Sequence, residues 1–293
     1  MPRQERRIEM QMDENKIPYV YIAGLSHSGS TLLAFLLNAH PELVSIGEAS
    51  RVGKLLPDRW ATRQDLCSCG KPFFYCEFWN RTLAGLAARG FGLQASDPFD
   101  GPESEAQTAR RKWQAFVDAV LDVSGASVFV DASRVAAYVT RLQGHSGFDL
   151  KVINLLRDGR GVIFSWMKRL PDTPPENVIG SWVQHENERA ARLRSMEPGR
   201  ILDVRYEDLC LTPVETLEKI FTYAGVDPAF DVTVGYKSAV THHVIGNQMR
   251  LTGDEQIAPD EAWRREMDDR VLEKFFDLGG AINARNGYVG RKN

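Results

Sequence analysis

The stretch that decides the fold is YVYIAGLSHSGSTLLAFLL, residues 19–37. Its first five residues are apolar and β-prone, and they end at Gly24. Leucines at positions 32, 33, 36 and 37 then recur at helical spacing. A turn rich in glycine and serine separates the two patterns. The stretch therefore predicts a strand, a loop and a helix in that order.

The same alternation of strand and helix recurs along the chain. Further strands are predicted at 127–130, 150–156 and 201–206, and the helices that follow them are predicted from 134, at 162–170 and from 213. Strands that alternate with helices pair in parallel. The predicted fold class is therefore α/β, a P-loop-type doubly wound parallel sheet flanked by helices.

Two segments fall outside this pattern. Residues 51–125 carry their own apolar stripe at helical spacing around Trp113 and Phe116, and they predict a helical insertion that packs on the main sheet. Residues 1–17 are highly charged and predict a flexible N-terminal tail. The remainder, 18–293, is expected to form a single domain.

Composition excludes several classes of protein. Hydrophobic residues make up 43% and charged residues 26%, as in ordinary globular proteins. A formal net charge of -3 argues against a nucleic-acid partner. The longest apolar run, LLAFLL at 32–37, is far shorter than the roughly 20 residues that span a bilayer. The charged N-terminus lacks the apolar middle of a secretory signal, so the sequence predicts a cytoplasmic protein without a membrane span.

The glycine-rich loop is typical of an anion site. Gly24 and Gly29 have four residues between them, and Ser30 and Thr31 follow at the start of the helix. Such a loop turns its N–H groups toward a phosphate, and the helix adds the positive end of its dipole. A nucleoside-triphosphate P-loop has lysine where this chain has Ser30. The missing lysine favours a phosphosulfate over a triphosphate, and a turn without ligand is the alternative.

A second anion site is predicted where INLLRDGRGVIFSWMKR, residues 153–169, leaves a strand. Arg157 stands at the carboxyl end of that strand, where open α/β sheets bind ligands, and Ser165 follows about two helical turns later. A guanidinium group suits a phosphate, and a hydroxyl adds one hydrogen bond. Alternatively, Arg157 and Asp158 form a simple ion pair at a helix start.

Together the two segments resemble the sulfotransferase family. That family has a 5′-phosphosulfate loop of the type RSGSTLL and a later 3′-phosphate motif of the type LRDPRxxxxS. Here they read HSGSTLL at 27–33 and LRDGR at 156–160, which leads to Ser165. Further matches are NAHPELVSIGE at 38–48, CSCGKPFFYCEFW at 67–79, VRYEDL at 204–209 and GNQMR at 246–250. The resemblance is closest to bacterial members related to carbohydrate and protein-tyrosine sulfotransferases.

The resemblance implies transfer of a sulfuryl group from 3′-phosphoadenosine 5′-phosphosulfate to a hydroxyl or amine, with no obligatory metal. The implied cofactor-binding residues are His27, Ser28, Gly29, Ser30, Thr31, Arg157, Ser165, Tyr206 and Arg250. The implied catalytic residues are Glu48, His27 and Arg134. The sequence departs from the family's common pattern at His27, where arginine or lysine is frequent, and at Gly159, where proline is frequent.

Three assignments stay open at this stage. The general base is expected to be Glu48, with Asp131 and His27 as the other candidates. Cys67, Cys69 and Cys76 have a spacing that fits no common zinc pattern, so a lid or a loop at the acceptor site is the favoured interpretation. The acceptor is expected to be a small molecule, a carbohydrate or a peptide, and neither its identity nor the oligomeric state follows from the sequence.

Two other functions are compatible with the motifs. The first is a small-molecule kinase or NTPase with a degenerate P-loop, because Val128–Asp131 resembles the strand and aspartate that hold Mg²⁺. The second is a non-catalytic nucleotide-binding protein that keeps the fold without turnover.

Overall fold

The computed structural model of the protein contains a five-stranded parallel sheet. It describes residues 16–55, 66–92, 106–233, 236, 239–247, 249–252 and 257–290. The strands are β1 (Ile17–Ala23), β2 (Leu43–Ser45), β3 (Val128–Asp131), β4 (Phe148–Leu156) and β5 (Ile201–Arg205). Their spatial order is β2-β3-β1-β4-β5, and every pairing is parallel.

Helices connect the strands and cover both faces of the sheet. They are α1 (Ser30–Asn38), α2 (Glu77–Ala88), α3 (Ala106–Ser124), α4 (Ala136–Gln143), α5 (Gly159–Met167), α6 (Pro175–Leu193), α7 (Tyr206–Leu211), α8 (Pro213–Ala224), α9 (Met249–Thr252), α10 (Trp263–Glu266) and α11 (Asp269–Arg285). Short 3₁₀ turns occupy Ala49–Lys54 and Phe73–Tyr75. None of the described helices is long and apolar enough to cross a membrane.

The central strand β1 divides the core into two layers. Tyr19 and Tyr21 point to the face covered by α2, α3 and α4, whereas Val20 and Ile22 point to the face covered by α1 and α8. This alternation follows from the two-residue period of a strand, and both sets are buried as in a parallel sheet with two covered faces. A third apolar cluster joins α5, α6 and α11 around Trp182. The predicted doubly wound fold class is confirmed.

The predicted helical insertion lies between β2 and β3. Its described parts include α2 and α3, which pack against each other, and α3 also contacts β2 and β3. The apolar stripe of α3 is buried, including Trp113 and Phe116. Residues 1–15 of the predicted tail lie outside the described residues. The tail prediction ran too far, because Ile17 already pairs in β1.

Two helices begin at other residues than predicted, for local reasons. The helix predicted from Arg134 begins at Ala136, because Arg134 has φ 64 and cannot be helical. The helix predicted at 162–170 begins three residues earlier, where the Asp158 side chain accepts a hydrogen bond from the Arg160 N–H as an N-cap. The sequence interpretation did not include β2, a strand of only three residues, nor the long helices α6 and α11.

Candidate active site

The glycine-rich loop joins β1 to α1 in a left-handed turn. Gly29 has φ 90, and a Cβ there would lie 2.9 Å from Cε2 of Tyr206, so glycine is required both by conformation and by space. Among the described residues no side chain caps the start of α1. The first N–H groups of this nine-residue helix therefore face the open end of the loop, where they can donate to an anion.

Side-chain contacts fix the loop's shape. The Ser28 hydroxyl donates to the Leu25 carbonyl oxygen over 2.7 Å and is buried. His27 has φ 67, and its Nδ1 lies 2.8 Å from the Ser165 hydroxyl in α5. The Trp166 indole N–H donates to the Ser26 carbonyl oxygen over 3.0 Å. The loop is thus fastened to the helix that carries the second predicted anion motif.

Arg157 closes the gap between the two motifs. It donates from Nη1 to the His27 carbonyl oxygen over 2.7 Å and from Nη2 to the Asp260 carbonyl oxygen over 2.8 Å. Its guanidinium lies 4.4 Å from the ring centre of Tyr206, a cation–π distance. The Tyr206 hydroxyl in turn accepts from the Asp260 N–H over 3.1 Å. Arg157 therefore points toward the glycine turn and is held there from three sides.

Glu48 lies between two arginines. Arg134 donates to its Oε1, and Arg51 donates to its Oε2 over 3.1 Å. The Arg134 guanidinium also reaches the Ser26 hydroxyl, 3.1 Å away. Glu48 as a residue is 6% exposed, so the two ion pairs supply the hydrogen bonds that water would otherwise make to its carboxylate.

These groups surround one cavity of about 560 Å³. Its described lining includes Ser26, His27, Gly29, Ser30, Thr31, Leu32, Glu48, Arg51, Arg134, Arg157, Ser165, Arg169, Tyr206, Ile245, Gly246, Asn247, Met249, Ala258 and Asp260. Four arginines stand against two carboxylates in that set. The wall of the cavity is therefore positive, and it combines cations with hydroxyls and a free helix start.

A second cavity of about 700 Å³ adjoins the first. The two share Ser26, His27, Glu48, Arg51, Arg134 and Arg169. Beyond this boundary the second cavity is lined by apolar groups of Val135, Trp166 and Leu170 and by polar groups of His185 and Glu188. Glu48 and His27 thus face both spaces.

The pKa of His27 is lowered to about 4. Desolvation in the half-buried loop is the main cause, and the nearby charges of Arg169, Arg134 and Arg157 add to it. Near neutral pH this imidazole is therefore neutral. An anion in the cavity would counter the three guanidinium charges and raise this pKa.

Asp131 lies below the site. It is fully buried, accepts from the Tyr19 hydroxyl over 2.7 Å and from the Ser133 N–H over 2.8 Å, and burial raises its pKa to about 6. Asp131 points to the same face of the sheet as Phe129, two residues earlier in β3. That face is covered by α3, whereas α1 covers the opposite face. The side chain shapes the turn toward Arg134 and is not among the residues that line either cavity.

Two predicted cofactor residues stand apart from the cavity lining. Arg250 is buried, and its Nη1 donates to the Leu66 carbonyl oxygen. Ser28 donates both its hydroxyl and its N–H to the Leu25 carbonyl oxygen. Both residues hold chain segments that reach the cavity, and neither is among its lining residues.

Gly159 serves packing more than turn flexibility. A Cβ there would lie 2.7 Å from Cη2 and 2.8 Å from Cε2 of Trp182, whose ring is buried. The Gly159 N–H donates to the Asn283 side-chain oxygen over 2.8 Å. Proline, the residue frequent at this position in the family pattern, would lose this hydrogen bond and collide with the indole.

The sequence interpretation missed several lining residues. Arg51 and Arg169 stand outside the quoted family motifs, and Asp260 lies about a hundred residues beyond Arg157, which it contacts. Arg51 could have been found from its spacing, because it follows Glu48 by three residues at the start of a 3₁₀ turn. Nothing local in the sequence pairs Asp260 with Arg157.

Comparison with known proteins identifies the family. Residues 18–231 match the model of the sulfotransferase family, which is more than half of the chain. The chain belongs to the sulfotransferase family.

Individual relatives agree with this assignment. The chain is 24% identical over 240 residues to protein-tyrosine sulfotransferase 2 of Gallus gallus, covering 78% of this chain and 54% of that protein. It thus spans about half the length of the curated relative. The sulfotransferase domain of the Synechococcus PCC 7002 olefin synthase superposes with a TM-score of 0.58 at 21% identity, covering 94% of this chain and 96% of that one. The sulfotransferase domain of the curacin biosynthetic pathway gives 0.54 at 18%, covering 94% and 99%. These solved structures share the fold.

Proposed function

We propose that this sulfotransferase uses 3′-phosphoadenosine 5′-phosphosulfate as donor and transfers its sulfuryl group to a hydroxyl in the adjoining cavity. The observation that carries the proposal is the single cavity in which Arg157 meets the glycine-rich loop through the His27 carbonyl oxygen. A nucleotide with anionic groups at both its 5′ and 3′ positions suits two anion sites that share one space.

The 5′ end of the donor is assigned to the loop. The uncapped N–H groups at the start of α1 and the hydroxyls of Ser30 and Thr31 can donate to the phosphosulfate. The helix dipole favours negative charge at the same place. These N–H and hydroxyl donors suffice to bind one phosphate and one sulfate. The chain lacks the P-loop lysine that a triphosphate would use.

The 3′-phosphate is assigned to Arg157 and Ser165. Arg157 now donates to two backbone carbonyl oxygens, and a phosphate would offer this guanidinium a charged acceptor instead. Ser165 presently bonds to His27, so its hydroxyl lies within reach of the same space. The guanidinium of Arg157 lies over the phenol ring of Tyr206, and this contact restrains the orientation of the guanidinium.

The reaction is an in-line displacement. The acceptor oxygen attacks sulfur, the bond between sulfur and the 5′-phosphate oxygen breaks, and the acceptor proton passes to Glu48. Adenosine 3′,5′-bisphosphate leaves with the bridging oxygen and its electron pair. Such a transfer depends on positioning and on electrostatic stabilisation of the reacting oxygens.

Charged groups around Glu48 supply that stabilisation. Arg134 donates to Glu48 and Ser26, and a bound sulfuryl group would compete for its guanidinium. The anionic donor would raise the pKa of His27, because it offsets the arginines that lower this pKa, and an imidazole N–H would donate to the leaving phosphate. Release of Arg134 from Glu48 would free an oxygen to accept the proton.

The second cavity is assigned to the acceptor. It meets the first cavity, which we call the donor cavity, at Glu48 and His27. The reacting hydroxyl has to lie at this boundary. Its wall pairs the apolar surfaces of Trp166, Leu170 and Val135 with polar groups of His185 and Glu188. An acceptor with an apolar body and a single exposed hydroxyl suits this apolar part of the wall, and the lining also includes Arg51, Arg134, Arg169 and Arg189.

The proposal is tested by incubation with a sulfur-labelled donor and a panel of phenols, alcohols, sugars, amines and peptides. Label in an acceptor product, with equimolar adenosine 3′,5′-bisphosphate, is the expected result. A Glu48→Gln variant serves as the matched background. Binding of the donor without transfer to any class, or transfer that requires ATP, would contradict the proposal.

A further inference from the structure

Three cysteines and one histidine meet outside both cavities. Cys67, Cys69 and Cys76 come from the insertion, whereas His242 lies on the segment that precedes α9. The four possible ligand atoms, three thiol sulfurs and one imidazole nitrogen, all lie within 4.8 Å of one another. Cys67 and Cys76 are buried, and the other two are half-buried.

The distances match a tetrahedron of ligands. The Cys67 and Cys76 sulfurs lie 3.5 Å and 3.3 Å from Nδ1 of His242, and the Cys69 and Cys76 sulfurs lie 3.6 Å apart. Bonds of about 2.3 Å to sulfur and about 2.0 Å to nitrogen at tetrahedral angles put sulfurs roughly 3.8 Å apart and sulfur and nitrogen roughly 3.5 Å apart. The cluster therefore has the size of a zinc coordination shell.

We propose that Cys67, Cys69, Cys76 and His242 bind one Zn²⁺ in a closed structural site. Three thiolates and one imidazole form a set that zinc takes in structural sites and that leaves no open position for a substrate. Binding replaces the thiol protons, which pass to solvent, and changes no oxidation state. The site is separate from the sulfuryl-transfer chemistry.

The backbone around the first two cysteines forms a tight turn. The Cys67 N–H donates to the Lys71 carbonyl oxygen and the Gly70 N–H donates to the Cys67 carbonyl oxygen, each over 2.9 Å. Gly70 has φ 85, which permits the reversal of the chain. This turn directs both sulfurs toward Cys76, the residue immediately before α2.

The fourth ligand is held by neighbours of the cysteines. The Phe78 ring stacks on His242 at 4.4 Å with an interplanar angle of 4°. The Trp79 indole N–H donates to the His242 carbonyl oxygen over 3.1 Å. Ser68 donates its N–H to the His243 carbonyl oxygen over 2.9 Å and accepts from the His243 N–H over 2.9 Å. These bonds keep the imidazole beside the thiols.

A disulfide explains the arrangement less well. The Cys69 and Cys76 sulfurs lie 3.6 Å apart, whereas bonded sulfurs lie about 2.05 Å apart. A disulfide would also leave Cys67 and His242 without a reason to converge on the same point. The three-cysteine spacing alone fits no common zinc pattern, because the fourth ligand is 166 residues beyond Cys76.

The site connects the insertion to the donor cavity. Three residues beyond His242, Ile245 has φ 59, a conformation that a β-branched residue adopts only under strong restraint. Ile245 and Gly246 line the donor cavity next to Glu48. Zinc at His242 would anchor this strained segment from the side away from the nucleotide.

The test measures metal in the full-length protein. The protein is expressed with a zinc supplement, purified without chelator and analysed by inductively coupled plasma mass spectrometry. One zinc ion per chain is expected for the wild type, and Cys67→Ser, Cys76→Ser and His242→Asn should each lose most of it. Cys210→Ser, which removes a buried cysteine outside the cluster, and His185→Asn should keep the full amount.

A cobalt titration covers the case in which a variant fails to fold. Metal-free wild-type protein titrated with Co²⁺ should develop thiolate-to-metal charge-transfer bands and the visible bands of tetrahedral cobalt, and Zn²⁺ should displace them. Absence of zinc from wild type together with absence of these bands overturns the proposal. So does zinc that persists in all three ligand variants, a stoichiometric iron content, or an intact mass that shows a disulfide among Cys67, Cys69 and Cys76.

Discussion

The donor cavity and the cysteine cluster are assembled in opposite ways. The cavity takes its anion donors from short segments that follow β1 and β4, two adjacent strands of one sheet. The cluster joins residues 67–76 to His242, and neither segment belongs to a strand of the sheet. Parallel topology brings the ends of strands together without further specification. A site made from distant loops depends on its own local contacts.

The cavity and the cluster are therefore stabilised by different parts of the molecule. The buried sheet supports the cavity, so the side chains that line the cavity can be substituted without loss of the fold. The cluster is supported by the Phe78 stack, the Trp79 hydrogen bond and, on our proposal, by the metal itself. Variants in the cavity should therefore change binding and rate first, whereas variants in the cluster should change stability and order first.

The largest effect is expected for Glu48→Gln in the cavity. Loss of the proton acceptor should lower kcat by about a thousandfold, within the usual range for a general base. KM for the donor should change much less, because the amide keeps the shape of the carboxylate. Steady-state kinetics with an identified acceptor measure both constants.

The matched control is Glu42→Gln, which neutralises an exposed carboxylate six residues away in sequence. Its kcat should equal that of the wild type. An unchanged kcat in Glu48→Gln, or an equal loss in both variants, would remove Glu48 from the role of base.

Arg157→Ala should raise KM for the donor by about a hundredfold. The change removes charge-assisted hydrogen bonds, each worth about 1.5–3 kcal/mol, to the 3′-phosphate. Arg194→Ala removes an exposed arginine at the end of α6 and should leave KM unchanged. A rise in KM of less than threefold in Arg157→Ala would place the 3′-phosphate elsewhere.

Removal of the proposed zinc should affect the donor cavity through the strained segment at Ile245 and Gly246. If zinc anchors His242, its removal should free Ile245 and Gly246, which line the donor cavity, and weaken binding of adenosine 3′,5′-bisphosphate by about tenfold. Calorimetry on metal-free and zinc-reloaded protein measures the effect, and hydrogen exchange shows where order is lost. Equal affinity and equal exchange in both forms would separate the cluster from the cavity.

A pair of glycine substitutions sharpens the distinction between frame and site. Gly159→Ala places a Cβ against the buried Trp182 ring and should destabilise the protein by about 1–3 kcal/mol. Gly180→Ala, in an exposed position of α6 with open space around its Cβ, should stabilise it by up to about 1 kcal/mol. Thermal unfolding measures both. A Gly159→Ala protein as stable as wild type would contradict the packing described here.

The smallest effect concerns pH. The pKa of His27 is about 4 in the free site, and a bound anion raises it, so the complex holds more protons than the free protein. Affinity for adenosine 3′,5′-bisphosphate should therefore rise, by less than about tenfold, as pH falls from 7 toward 5. Calorimetry in buffers of different ionisation enthalpy should detect proton uptake. The arginines lower the pKa of the ligand's phosphates, which therefore release protons on binding, so the difference in proton uptake between wild type and His27→Asn measures the contribution of His27.

The part of the molecule that could be predicted from sequence is the part encoded locally. The strand, glycine turn and helix around Gly29 and the strand end at Arg157 follow from apolar periodicity and glycine placement, and the structure contains both. The three-residue strand β2 carries too short a pattern to be recognised. Arg51, Asp260 and His242 reach their partners only through tertiary packing, which spacing in one sequence does not report.

The central claim is that Arg157 binds the 3′-phosphate of the donor nucleotide. Calorimetry of wild type and Arg157→Lys with adenosine 3′,5′-bisphosphate and with adenosine 5′-phosphate completes a cycle that isolates this contact. Wild type should favour the bisphosphate by about a hundredfold, and Arg157→Lys should reduce that preference at least tenfold, because lysine keeps the charge and loses the planar fork. Equal affinity of wild type for the two nucleotides, or an undiminished preference in Arg157→Lys, would contradict the account.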